Sequence, residues 1–173
     1  MTSGADETGL CLACGLCCDG TLFRDVELAD AAEAALLERA GVPVRRTTTK
    51  LRVVQPCPAL GADCRCGVYA GRPARCRQFD CALLLAVRDG GTAPHTALRI
   101  IGDTRRLAER VRRLLVVLGG RDECLPLSRR FAAVRRAFDT GRAPDEEEAL
   151  ETYAELTLAV QRLQLRLREK FYP

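Results

Sequence analysis

Two bursts of cysteine constrain this chain more than any other feature. The first is Cys11-Leu12-Ala13-Cys14-Gly15-Leu16-Cys17-Cys18; the second runs from Cys57-Pro58 through Cys64, Cys66 and Cys76 to Cys81. Thiols at this spacing, in a chain with one histidine, point to metal held by sulfur. A C-x-x-C turn lets two thiolates converge, because the intervening pair folds back and its amide N–H groups face the sulfurs. A third cysteine after two more residues gives C-x2-C-x2-C, the run of bacterial iron–sulfur ferredoxins. The fourth follows at once, and adjacent side chains on an extended backbone point to opposite sides. Two arrangements follow: Cys17 and Cys18 serve two metal centres, or one cluster is wrapped by a sharp bend.

Composition narrows the class. The chain has 173 residues, 47% of them hydrophobic and 29% charged, which suits one globular domain. Leu, Val and Ala must build the core, since aromatics make up 5% and Trp is absent. A net charge of +4 is too weak a bias to imply nucleic acid. The first ten residues lack the basic and apolar regions of a signal peptide, and no stretch reaches the ~18 apolar residues of a membrane helix. The expected setting is the reducing cytoplasm, where clustered cysteines read as metal ligands or redox groups rather than as a disulfide framework.

Periodicity predicts a mainly α protein. Residues 1–10 read as a flexible polar leader. A helix is expected from Asp25 or Glu27 to Gly41, with Leu28, Ala31, Ala32, Ala35, Leu36 and Ala40 on its apolar positions. Val44–Val54 is β-branched and basic, a short strand or hairpin. Pro56–Cys81 carries several Gly and Pro residues, which is loop chemistry suited to wrapping an ion, and Cys81–Val87 is a short buried helix. Three helices follow. One carries Leu98, Ile101, Leu107, Val111, Leu114, Leu115 and Leu118; one is capped by Ser128 and carries Phe131, Val134 and Phe138. The last starts at Pro144-Asp145-Glu146-Glu147-Glu148 and carries Leu150, Tyr153, Leu156, Val160, Leu163, Leu167 and Phe171. The expected organisation is a cysteine-rich, loop-dominated metal-binding module with a small β-hairpin over residues 11–91, packed on a helical part over residues 92–173.

The order of these elements resembles the YkgJ-type CxxCxxCC proteins, a zinc- or iron-chelating cysteine-cluster family. The resemblance is carried by Cys11/Cys14/Cys17/Cys18, Cys57-Pro58-Ala59-Leu60, the run from Cys66-Gly67-Val68-Tyr69 through Arg72-Pro73 and Cys76-Arg77-Gln78-Phe79, and the closing Cys81. It covers roughly residues 11–81. It implies a metal-binding set of Cys11, Cys14, Cys17, Cys18, Cys57, Cys66, Cys76 and Cys81. Cys64 is an addition able to substitute for Cys66, and Cys124 lies beyond the pattern. A similar cysteine motif occurs in flagellin lysine N-methylase, which implies modification chemistry on a protein or peptide; no S-adenosylmethionine motif is recognisable here.

Arg65, Arg72, Arg75 and Arg77 interleave with the second burst. They either offset a tetrathiolate centre, about −2 for zinc or an oxidised cubane, or are ordinary surface cations. Tyr69 and Phe79 are expected to shield the site from water. His95 reads as a surface or capping residue. The basic run Arg99, Arg105, Arg106, Arg110, Arg112 and Arg113 reads as a solvated face answering Glu146 to Glu151, since no aromatics interleave to stack bases. Crowding of four cysteines in eight residues favours an iron–sulfur centre, one or two clusters of the [4Fe-4S] type, over zinc. The expected function is a metal-binding protein for redox or group-transfer chemistry on a protein or peptide partner. The alternatives are a zinc-stabilised interaction module and a metal storage or delivery protein.

Overall fold

A computed structural model describes residues 4–144 and 146–172, with side chains from Gly9 onward. The elements are α1 (Gly4–Cys14), β1 (Asp25–Glu27), α2 (Ala31–Arg39), β2 (Arg45–Arg46), β3 (Leu51–Val54), a 3₁₀ turn (Tyr69–Gly71), α3 (Ala74–Gln78), α4 (Ala82–Arg88), α5 (Pro94–Val117), α6 (Leu127–Asp139) and α7 (Glu147–Lys170). The chain is mainly helical with one small antiparallel sheet, as its periodicity predicts. No helix among the described residues is long and apolar enough to cross a membrane.

Several boundaries differ from expectation. Where a flexible leader was expected, the backbone is helical from Gly4, so Cys11 and Cys14 sit on a helix; Met1–Ser3 lie outside the described residues. Asp25–Glu27 does not start α2 but is a strand, pairing with β3 in the register Asp25↔Val54 and Glu27↔Arg52. Asp30 takes the N-cap instead: its carboxylate accepts the Glu33 N–H at 2.9 Å, and Glu33 accepts the Ala29 N–H in return. The shift rotates the buried face of α2 to Ala34 and Leu37, leaving Leu36 half exposed. At α6, Pro126 rather than Ser128 holds the N-cap position, and the free Leu127 N–H donates to Gly20 O at 3.1 Å. A polar cap is not needed where another segment supplies the acceptor. Helix α7 starts at Glu147, after Pro144; Asp145 lies outside the described residues.

β2 and β3 form the expected hairpin, and β1 joins it to give the order β1-β3-β2. Two hydrophobic clusters result. The larger packs α1, α4, α5, α6 and α7 around fully buried Leu16, Leu115, Leu156 and Phe171, with Phe138 stacked on Tyr153 at 4.1 Å. The smaller joins sheet and α2 through Leu28, Ala34, Leu37, Val42 and Val53. Both long C-terminal helices bury the stripe expected of them, except that Leu98 and Leu150 point outward.

Leu115 is fully buried in the larger cluster. Leu115→Ala is expected to lower unfolding free energy by about 2–5 kcal/mol, measured by urea denaturation, with the metal-to-protein ratio unchanged.

Candidate metal centre

Helix α1 ends where Gly15 adopts φ +70°, which a side chain tolerates poorly. The chain then turns tightly, with Cys18 and Asp19 N–H both donating to Gly15 O, and this turn carries Cys17 and Cys18. A second left-handed glycine, Gly20 (φ +79°), releases it towards β1; a Cβ there would lie 3.0 Å from Pro126 Cα. Arg112 of α5 braces the turn, its guanidinium donating to Asp19 Oδ2 at 2.7 Å and to Thr21 Oγ1 at 3.0 Å.

The second burst is folded onto the first. Cys57 N–H donates to Cys18 O at 2.7 Å. Leu60 pairs with Cys66 in an isolated antiparallel bridge, and Gly67 N–H donates to Ala59 O at 2.7 Å, which closes the loop and brings Cys57 and Cys66 together. Cys76 rides on α3, whose first N–H, that of Ala74, is taken by Glu33 Oε1 at 2.7 Å. Cys81 stands at the head of α4, a helix that packs against α1.

All eight cysteines of the expected set, and Cys64, line one cavity of about 540 Å³ between the two hydrophobic clusters. That is far more than one water or ion needs. Every cysteine is a free thiol. Among the described residues, no three His, Cys, Asp or Glu side chains stand close enough to grip a single ion as they are. His95 and Cys124 are exposed and outside the cavity. The carboxylates on its wall, Asp25 and Glu27, are engaged by Arg52 and Lys50.

Electrostatics divides the thiols into neighbourhoods. Burial raises Cys11, with Cys81 adding and Arg72 opposing. Burial pushes Cys14 up to about 12, against a hydrogen bond from the Leu16 N–H; Cys81 and Cys11 add to it. Cys17 rises well above the ordinary range, through burial first and then Cys14, Cys18, Cys81 and Cys11. Cys18 is pushed up to about 12 by burial and then by a different group, Cys57, Cys76 and Cys66. Burial also raises Cys57, opposed by the Ala59 N–H, and Cys76, the latter to about 11. The Leu16 and Ala59 amides reach back to the sulfur two residues earlier, the folded-back arrangement expected of a metal-binding cysteine turn.

The arginines separate in role. Arg72 lines the cavity and its charge opposes the rise of both Cys11 and Cys76, while its guanidinium stacks on the Tyr69 ring at 3.7 Å. Tyr69 is therefore a partly exposed lip, and the inner shield is Phe79, edge-on to Phe23 at 4.9 Å. Arg65 is well exposed and pairs with Asp63, and Arg77 donates to Arg72 O. On α5, Arg110 pairs with Glu155, Arg106 with Asp103 and Arg112 with Asp19, so the acids answering this helix are not the expected Glu146–Glu151.

One group has no sequence signal. Gln55 is 2% exposed, lines the cavity, and its carboxamide oxygen has no hydrogen-bond partner. An orphaned amide among thiols fits a bound sulfur-ligated group: turned over, it presents N–H donors to thiolate or sulfide. The donor set points the same way, since soft thiolates select zinc, copper(I) or iron–sulfur clusters.

Residues 10–97 match the family described as "Putative zinc- or iron-chelating domain", CxxCxxCC. The chain belongs to this CxxCxxCC family. No curated protein and no solved structure gave a match. As a CxxCxxCC domain the chain binds metal through its clustered cysteines, and the family segment ends on the first turn of α5.

Two outcomes are expected. Gly15→Ala forces a Cβ to 3.2 Å from Cys64 Cβ at a left-handed φ, and should cost about 1–2 kcal/mol by denaturant titration. Burial holds the metal-free Cys14, Cys18 and Cys76 thiols protonated at neutral pH, while a bound thiolate is not. Metal uptake should therefore release protons and strengthen as pH rises, seen as buffer-dependent heats in calorimetry.

Proposed function

We propose that the cavity holds iron–sulfur chemistry, and that the protein uses it for electron transfer or group transfer on a protein or peptide partner in the reducing cytoplasm. The observation that carries this reading is the sulfur-rich wall: nine thiols line a space far larger than one ion, with the flanking carboxylates already paired. The C-x2-C-x2-C-C run supplies four thiols within eight residues, the crowding that several iron atoms need. Cys14 and Cys57 would be held by the Leu16 and Ala59 amides, Arg72 would balance charge, and Phe23 and Phe79 would exclude water; the cluster itself would supply the redox capacity.

Zinc is the second reading. It is favoured by the site's position between two separate hydrophobic clusters, where any tetrathiolate would add folding energy.

Protein purified without oxygen from iron-replete cells is expected to be brown, with broad visible absorption bleached by dithionite and with acid-labile sulfide. A colourless protein carrying stoichiometric zinc under those conditions would overturn the iron–sulfur reading.

A further inference from the structure

The eight family cysteines do not surround the cavity evenly. Cys11 and Cys14 lie one turn apart on α1, Cys17 follows in the adjoining turn, and Cys81 heads α4, which packs on α1. On the other side, Cys18 offers its carbonyl to Cys57; the Leu60–Cys66 bridge brings Cys66 beside Cys57; and α3, packed on β1, brings Cys76. We propose that the chain builds two separate four-sulfur metal centres, one from Cys11, Cys14, Cys17 and Cys81 and the other from Cys18, Cys57, Cys66 and Cys76, joined through the Cys17–Cys18 peptide. The proposal rests on metal binding by the cysteines, but not on which metal is bound.

The electrostatic neighbours agree with this division. The thiols that act on Cys11 and Cys14 all belong to the first set, and those that act on Cys18, Cys57 and Cys76 all belong to the second. Cys18 also acts on Cys17 across the boundary, as its chain neighbour. A single centre would use four thiols and leave four more half-buried beside it without a partner. Two centres use all eight and account for the doubled cysteine, whose adjacent side chains face different neighbourhoods. Cys64 belongs to neither set: its Sγ packs against Gly15. Arg72 lines the cavity and its charge acts on a thiol of each set, Cys11 and Cys76, so one cation serves both centres. Because adjacent Cα atoms are about 3.8 Å apart, the two centres are held close enough to sense each other's charge.

The first test is metal and sulfide content of the unmodified protein purified without oxygen: about eight irons and eight sulfides per chain if cubanes are bound, or about two zincs otherwise. A single cubane by its spectrum, with half that iron and sulfide, or a single zinc, overturns the two-centre proposal while leaving metal binding intact, whereas no metal at all removes the reading on which it rests. Variants then test the partition. Cys14→Ser or Cys81→Ser, and likewise Cys57→Ser or Cys76→Ser, should each lose about half the metal. Cys14→Ser with Cys81→Ser should lose no more than either alone, and Cys14→Ser with Cys76→Ser should lose nearly all. Cys64→Ser should lose none. If every single substitution removes all the metal from protein that stays folded by circular dichroism, the partition is wrong. In the iron form, the fully reduced unmodified protein should show spin–spin broadening in its electron paramagnetic resonance spectrum; the signal of one isolated cluster contradicts the proposal without any variant.

Discussion

Between the core built on the sheet and the core built on the helices lies a seam that neither set of apolar side chains closes. Leu37, Val42 and Val53 reach it from one side, and Leu10, Leu84, Ile101 and Phe171 from the other, but thiols occupy the ground between. A thiol packs as a small hydrophobe with a weak S–H donor, so it fills such a seam poorly compared with Leu or Ile. Burial raises six of these thiols and keeps them protonated, which spares the metal-free chain the cost of buried thiolates. The seam therefore gains its full cohesion from bound metal, and the free energy of binding becomes free energy of closing the two cores upon each other.

Charge follows the same logic. With its thiols protonated the chain carries a formal +4. Each tetrathiolate centre brings about −2, so a chain loaded with two comes close to neutral. The compensation is local as well as global. Arg72 lines the cavity, fixed by its own contacts to Tyr69, and its charge acts on Cys11 and Cys76, while the Leu16 and Ala59 amides aim partial positive charge at Cys14 and Cys57. Arg65 is spent on Asp63 and Arg77 on a loop carbonyl, and Arg75 lines the cavity but acts on the Glu27 carboxylate, which is why the number of arginines in the sequence overstates their electrostatic weight at the site.

Cysteine spacing made the cysteine-lined wall legible, because a C-x-x-C turn needs only local backbone geometry to aim its sulfurs. The hairpin and the long amphipathic helices were legible for a similar reason: their periods report which face is buried. What escaped the sequence depends on distant partners. Asp25–Glu27 has no strand signature alone and becomes one only because β3 offers Val53 and Val54 beside it. Ser128 is a good capping residue left unused because Gly20 O reaches the helix end first. Gln55, Asp19 and Arg112 are ordinary polar residues until the fold sets them around the cysteine turn, so no local pattern could single them out.

The family segment leans on helices outside it. Arg105 donates to Ala13 O, Arg112 to Asp19 and Thr21, the Leu127 N–H to Gly20 O, and the Tyr172 hydroxyl to Leu22 O at 2.9 Å. All five bonds land on residues 13–22, the stretch around Cys14, Cys17 and Cys18. The second burst is held less directly, from Cys18 O through Cys57 and from Glu33 through Ala74. Its cysteines ride on short loops and a helix of five residues, with few buried apolar contacts of their own. Local opening starts where such contacts are fewest. The helical half thus fixes the turn that carries Cys14, Cys17 and Cys18, while the Cys57–Cys76 loops, tied through fewer bonds, depend on that turn for their own placement.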